Sequence, residues 1–170
     1  MTTVTENEIL IRTGPNTALG VVFRQYWIPF LQLSDLPEPD CAPVRVTLLS
    51  EKLIAFRDSN GDIGLIDEFC AHRRVSLWFG RNEEGGIRCP YHGWKFDTKG
   101  NCLEIPSLPG DTKTCAKVKL KHYPCIEKGG VIWTYMGPEE NRPDEPNFEW
   151  AVVADENRYV NRRLQECNYL

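Results

Sequence analysis

The sequence predicts a mostly β protein, a small antiparallel domain of sandwich- or barrel-like form with a short helix near its start. Three observations carry this. Short runs rich in β-branched and aromatic residues succeed one another from residue 44 to residue 135. Tight-turn signals separate them, the strongest being Asn60-Gly61. Helical spacing occurs only near the beginning, so strands must pair with strands and not with intervening helices.

Taken in order, residues 17–25 (TALGVVFRQ) follow Gly14-Pro15-Asn16, and Asn16 or Thr17 is placed to cap a short helix whose Leu19, Val22 and Phe23 share one face. Residues 27–33 (WIPFLQL) read as a strand that Pro29 confines to an edge or a bulge. A loop rich in Pro and acid spans 34–43, and residues 44–49 have strand composition. Strands at 53–57 and 63–67 flank the Ser59-Asn60-Gly61-Asp62 turn. Further strands are expected at 87–89, 94–97, 102–105, 117–123 and 131–135, with Thr98-Lys99-Gly100-Asn101 as a second tight turn. After Gly137, residues 138–146 (PEENRPDEP) read as an acidic, Pro-rich linker, most simply a solvated connection. Residues 148–170 carry aromatic and apolar side chains but too few to fold alone, and 162–170 (RRLQECNYL) read as the opening of a further element.

Composition narrows the function. The chain has 170 residues, 41% hydrophobic and 26% charged, which is the balance of a globular protein. A net charge of −4 leaves no basic footprint for nucleic acid. No apolar run reaches membrane-spanning length, and the first residues (MTTVTENEIL) lack the basic and apolar regions of a secretory signal. A cytoplasmic chain is expected, in which the seven Cys stay reduced. With only three His, any site that needs several imidazoles must use nearly all of them.

The chemistry concentrates in Cys70-Ala71-His72 and, after sixteen intervening residues, Cys89-Pro90-Tyr91-His92-Gly93-Trp94. A single Cys is ordinarily a small buried hydrophobe and a single His is ordinarily satisfied by hydrogen bonds, but four such residues in two matched pairs form a metal-binding pattern. Structural zinc sites favour like ligands together, C-x(2–4)-C with H-x(3–5)-H. Here each pair mixes one Cys with one His. That suits a centre of two different irons, one held by two thiolates and one by two imidazoles, as in a Rieske [2Fe–2S] cluster. A zinc module built from the same four ligands is the alternative that the mixed pairs disfavour.

The segment from Cys70 to Cys102 closely resembles the cluster region of Rieske non-haem iron oxygenases, the ring-hydroxylating and demethylating type, and within them the phthalate-dioxygenase-like branch. The YWIPF stretch near the start and RRLQECNYL at the end resemble that branch too. Ala71 stands where Pro is commoner and Arg74 where Gly is commoner. The resemblance implies that Cys70, His72, Cys89 and His92 ligate the cluster, with Arg73, Tyr91, Gly93 and Trp94 around it. Trp94 and Trp78 are expected to cover it, and backbone N–H groups of both turns to assist at the sulfurs. Respiratory and photosynthetic Rieske proteins carry one more Cys in each turn. Val75 and Tyr91 occupy those positions here, so no disulfide forms beside the cluster, and a low potential is expected within the Rieske range of about −150 to +300 mV.

The resemblance further implies electron transfer from a reductase or ferredoxin, through His72 and His92 at an exposed tip, to a mononuclear Fe(II) on the catalytic domain of a neighbouring subunit of a homotrimer. It divides the chain into an N-terminal helix, strand and loop packing on the core (1–45), the Rieske domain with its inserted cluster-binding subdomain (46–137), and a linker with the truncated start of a catalytic domain (138–170). His122 is the one imidazole left over and reads as a surface-strand residue, so no second iron site can be built here and no catalytic residue is expected. On that reading the chain alone is inactive as an oxygenase. A free-standing Rieske-type ferredoxin is the alternative function; against it, such carriers are compact domains of about 100 residues. Cys41, Cys102, Cys115, Cys125 and Cys167 read as buried apolar residues or unreactive thiols.

Overall fold

A computed structural model describes residues 4–163. Two short helices open it, α1 (Val4–Ile11) and α2 (Ala18–Phe23). Eleven strands follow among the described residues: β1 (Trp27–Gln32), β2 (Val44–Leu48), β3 (Glu51–Arg57), β4 (Ile63–Asp67), β5 (Arg81–Glu83), β6 (Gly86–Arg88), β7 (Lys95–Phe96), β8 (Cys102–Glu104), β9 (His122–Tyr123), β10 (Cys125–Lys128) and β11 (Val131–Tyr135). A one-turn helix, α3 (Thr112–Cys115), lies between β8 and β9. No helix among the described residues is long and apolar enough to cross a membrane. The element expected to open near residue 162 falls mostly outside the described residues, as does Cys167.

The strands form three open antiparallel sheets, ordered β1-β11-β10, β2-β3-β4-β9 and β5-β6-β7-β8, and none closes into a barrel. The central sheet is buried on both faces, which explains why β3 reads as the unbroken apolar run Leu53-Ile54-Ala55-Phe56. Leu53, Ala55 and Leu65 point to one core with Leu31, Leu36, Ile132 and Met136. Ile54, Phe56 and Ile66 point the other way, to a second core with Leu77, Ile87, Phe96, Ile105 and the thiols of Cys70 and Cys89. The segment that carries the two Cys–His pairs is therefore a layer laid on the back of the central sheet.

Two turns share one construction. Asp58 Oδ1 accepts from the backbone N–H groups of Asn60 and Asp62, both at 2.9 Å, and Asp97 Oδ1 accepts from those of Lys99 and Asn101 at 2.9 and 2.8 Å. Gly61 and Gly100 supply the left-handed residue in each. The expected edge position of Pro29 is observed: β1 is an edge strand whose register against β11 shifts between Pro29 and Leu31.

The face expected of the N-terminal helix is not the one observed. Thr17 does cap it, its Oγ1 accepting from the Gly20 N–H at 3.2 Å, but Val22 and Phe23 are exposed. The helix is held instead by Gly20, packed against the Gly14 and Thr13 carbonyls, and by the buried Arg24. Arg24 pairs with Glu51 at 2.8 Å, and the same carboxylate takes Lys121 Nζ at 2.6 Å and the Tyr123 hydroxyl. That buried charge cluster ties α2 to β3 and β9. The linker region folds back as well: Trp27 Nε1 donates to the Pro143 carbonyl at 3.1 Å, and Phe148 and Trp150 stack with Trp133 of β11.

Candidate metal centre

Each Cys–His pair sits in a closed backbone turn. In the first, the Cys70 N–H donates to the Val75 carbonyl at 2.9 Å and the Arg74 N–H to the Cys70 carbonyl at 3.0 Å. In the second, the Cys89 N–H donates to the Trp94 carbonyl at 2.8 Å and the Gly93 N–H to the Cys89 carbonyl at 3.1 Å. The two turns are thus equivalent in hydrogen bonding, and the fifth residue of each is left-handed, Arg74 at φ 56° and Gly93 at φ 72°. Only the second has the residue type that adopts this conformation without cost. Arg74 holds it with side-chain contacts, pairing with Asp67 at 3.1 Å and lying over the Phe69 ring.

Donor atoms divide by depth. Cys70 and Cys89 are buried, whereas His72 and His92 are exposed. Their rings approach to 4.6 Å between centroids. Trp94 stacks on His72, parallel to within 5° at 4.7 Å, and the Tyr91 ring lies against His92 at 3.8 Å. Burial pushes the Cys70 thiol up to about 11, the backbone N–H groups of His72 and Arg73 pull it down, and the adjacent Cys89 raises it further. His72 is shifted the opposite way, because loss of solvent and the charges of His92 and Arg73 disfavour its protonated form. Both shifts favour the neutral form, of the Cys70 thiol and of the His72 imidazole.

Among the described residues no three His, Cys, Asp or Glu side chains converge on one point that could hold a single ion. His122 lies on β9, half-buried and paired with Ile66, its protonation disfavoured by burial and by Lys119.

The Rieske [2Fe–2S] domain family matches residues 26–124. The chain belongs to that family. It is 41% identical over 169 residues to the phthalate 4,5-dioxygenase oxygenase subunit of Pseudomonas putida, covering 99% of this chain and 38% of the relative. With the 3-chlorobenzoate-3,4-dioxygenase oxygenase subunit of Comamonas testosteroni it shares 46% identity over 144 residues, 85% of this chain and 33% of the relative. A crystal structure of dicamba monooxygenase with non-heme iron and dicamba superposes with a TM-score of 0.65 at 27% identity, covering 74% of this chain and 37% of the other. The chain thus spans between about a third and two-fifths of these relatives, and it corresponds to their N-terminal Rieske part. Its cofactor is a [2Fe–2S] cluster.

The residues of this Rieske domain fit that cofactor, with two buried sulfurs and two exposed imidazoles. Of the surrounding residues named from the sequence, Trp94 and Tyr91 meet the imidazoles, Gly93 shapes its turn and Arg73 acts through its N–H and its charge. Trp78 packs edge-on against Phe79 beneath the Arg45 guanidinium. Sequence reasoning missed the residues that brace the turns. Arg88 donates to the Gly93 carbonyl at 3.0 Å while pairing with Glu83 at 2.7 Å and Glu104 at 2.8 Å. Behind the first turn the buried Glu68 accepts from Arg45 Nε at 2.8 Å and Ser76 Oγ at 2.6 Å. A charged residue within two positions of a candidate Cys is the only signal for either, and it does not distinguish a brace from a solvated side chain.

Proposed function

We propose that Cys70 and Cys89 hold one iron of the cluster through thiolates and that His72 and His92 hold the other through imidazoles. The observation that carries this reading is the separation of two adjacent buried thiols from two touching, exposed imidazoles. When bound, the cluster supplies one-electron redox chemistry. The chain's own residues do the rest. The N–H groups of His72 and Arg73 favour the thiolate of Cys70. Burial keeps water from the sulfurs, and the turns hold the imidazoles at the surface, where an electron leaves by the shortest route and protons exchange with solvent. Arg88 and Glu68 position the turns from behind.

On this reading the chain is the electron-delivering part of an aromatic ring-hydroxylating or demethylating oxygenase large subunit working in the cytoplasm. It takes electrons from a reductase or ferredoxin and passes them to a mononuclear iron on the catalytic domain of a neighbouring subunit in a homotrimer. Residues 46–137 form the Rieske unit, 1–45 pack on it and 138–170 lead into the catalytic domain. Aromatic acids are the substrate class, on the analogy of the phthalate and chlorobenzoate relatives.

The test is analysis of anaerobically purified protein for iron, acid-labile sulfide and zinc, with EPR after reduction. About two irons and two sulfides per chain are expected, with the low average g value of mixed His/Cys ligation, and both are lost in His92→Ala. A colourless protein holding one zinc overturns the assignment. Mixed with an NADH-driven reductase, the chain is expected to be reduced without consuming an aromatic acid; failure to accept electrons would overturn the relay role.

A further inference from the structure

Two cysteines outside the metal centre lie within reach of each other. Cys102 opens β8 and Cys115 ends α3, and their sulfurs are 3.6 Å apart. The backbone fixes this approach at both ends: the Cys102 N–H donates to the Val118 carbonyl at 3.2 Å, and the Val118 N–H donates to the Cys115 carbonyl at 2.9 Å. Asp111 caps the turn that carries Cys115, its carboxylate accepting from the Thr114 N–H at 3.0 Å and from the Thr114 hydroxyl at 2.6 Å. Both thiols line an open cavity of about 280 Å³, with Leu108, Asp111 and Ala116 on its walls. A small oxidant can therefore reach them without unfolding. Cys102 is buried in the same core as Cys70 and Cys89, and Cys115 packs against that core from outside.

We propose that Cys102 and Cys115 form a peroxide-oxidisable dithiol that closes to a reversible disulfide in the folded, cluster-loaded protein. The Cys115 sulfur, the more accessible of the two, attacks one oxygen of hydrogen peroxide; the O–O bond breaks, Cys115 becomes a sulfenic acid and one water leaves. The Cys102 thiol then displaces the sulfenic oxygen, forming the S–S bond and releasing the second water. Two thiols are oxidised by two electrons, peroxide is reduced to two waters, and the thiol protons end in that water. Closure needs the sulfurs to move together from 3.6 Å to bonding distance, about 2.05 Å. The crosslink would tie α3 to β8 across the loop that carries Pro106, whose ring lies where a side chain on Gly93 would point. The proposal stands on thiol geometry and is independent of which residues ligate iron.

Holoprotein is treated with a few equivalents of hydrogen peroxide, alkylated with iodoacetamide, digested with trypsin without reductant and analysed by mass spectrometry, with the visible spectrum of the cluster followed in parallel. The expected product joins fragment 100–113 to fragment 114–117 at a mass two hydrogens below their sum, disappears on treatment with dithiothreitol, and forms while the visible spectrum persists. Cys115→Ser abolishes it and Cys41→Ser leaves it unchanged. Recovery of both fragments separately alkylated after peroxide, or a crosslink that arises only after the cluster spectrum has collapsed, overturns the proposal. Since iron content is read in the same samples, failure of the dithiol is distinguishable from failure of the cluster assignment.

Discussion

Gly93→Ala probes the second metal turn at its narrowest point. Gly93 is left-handed at φ 72°, and a Cβ built there would stand 2.9 Å from Pro106 Cγ, a ring carbon that can retreat only by a change of pucker or a shift of its backbone. An L-residue in this conformation costs about 1–2 kcal/mol, and pushing the ring aside costs a further ~1–3 kcal/mol, so roughly 2–5 kcal/mol in all. For a chain of this length that lowers Tm by about 4–20 °C. Gly61→Ala separates the two contributions, because Gly61 is also left-handed at φ 90° but has nothing within 4 Å of its Cβ position. It should cost only the conformational part, about 1–2 kcal/mol, and leave iron content at the wild-type level. The assay is thermal unfolding by circular dichroism at one scan rate, alongside iron per chain. Equal Tm losses for the two variants, with full iron in Gly93→Ala, would refute the packing of Pro106 against the second turn.

Arg88→Ala removes a largely buried guanidinium that serves the Gly93 carbonyl and two carboxylates; chemical denaturation should show a loss of about 1.5–3 kcal/mol, with Arg88→Lys recovering only part because a point charge cannot reproduce the fork. Glu51 is buried, which raises its proton affinity, but hydrogen bonds from Lys121, Arg24 and Tyr123 outweigh burial and hold the carboxyl below its ordinary value. The stability it contributes is therefore present above the unfolded carboxyl pKa and lost as pH falls through the lowered folded value. Glu51→Gln should cost about 3–5 kcal/mol at neutral pH and give a Tm that falls less steeply in acid than that of the wild type. Burial pushes the Cys125 thiol up to about 12, so at pH 8 a fraction on the order of 10⁻⁴ is thiolate. Peptide mapping after iodoacetamide treatment of native protein should find Cys125 unmodified, and its contribution to stability should disappear as pH rises through about 12.

The parts legible in the sequence were those whose cause is local. Asn60-Gly61 and Lys99-Gly100 specify turns through their own backbone preferences, and both turns are where the pattern puts them. The Cys–His pairs stand out in the sequence because packing alone imposes no such matched spacing, and the fold closes each pair in a backbone turn. The β10–β11 hairpin also has a local cause, since Gly129-Gly130 are both left-handed in a two-residue loop. Other features had no local signature. The strand β5 is three residues of Arg, Asn and Glu that pair only because β6 is beside them. The apolar face assigned to α2 was mistaken because Arg24, which local reading assigns to water, is buried by a carboxylate 27 residues away. Cys102 and Cys115 looked like unrelated inert thiols until the fold brought β8 and α3 together.

The two Cys–His turns are alike in backbone and unlike in side chains, and the difference lies in how each imidazole is held. Each closes between its Cys and the residue five positions on, so the sulfurs enter the core in equivalent ways. The imidazoles break the equivalence: His72 is the third residue of its turn and His92 the fourth of its own. With that one-residue offset, His72 lies under a residue of the opposite turn, Trp94, while His92 is flanked by its own neighbour Tyr91. Trp94 also accepts the closing hydrogen bond from Cys89. One residue therefore fixes the second sulfur's turn through its carbonyl and orients the first turn's imidazole through its ring. Loss of the indole in Trp94→Ala should therefore shift the ring signals of His72 more than those of His92, because the indole stacks on His72 while Tyr91 flanks His92.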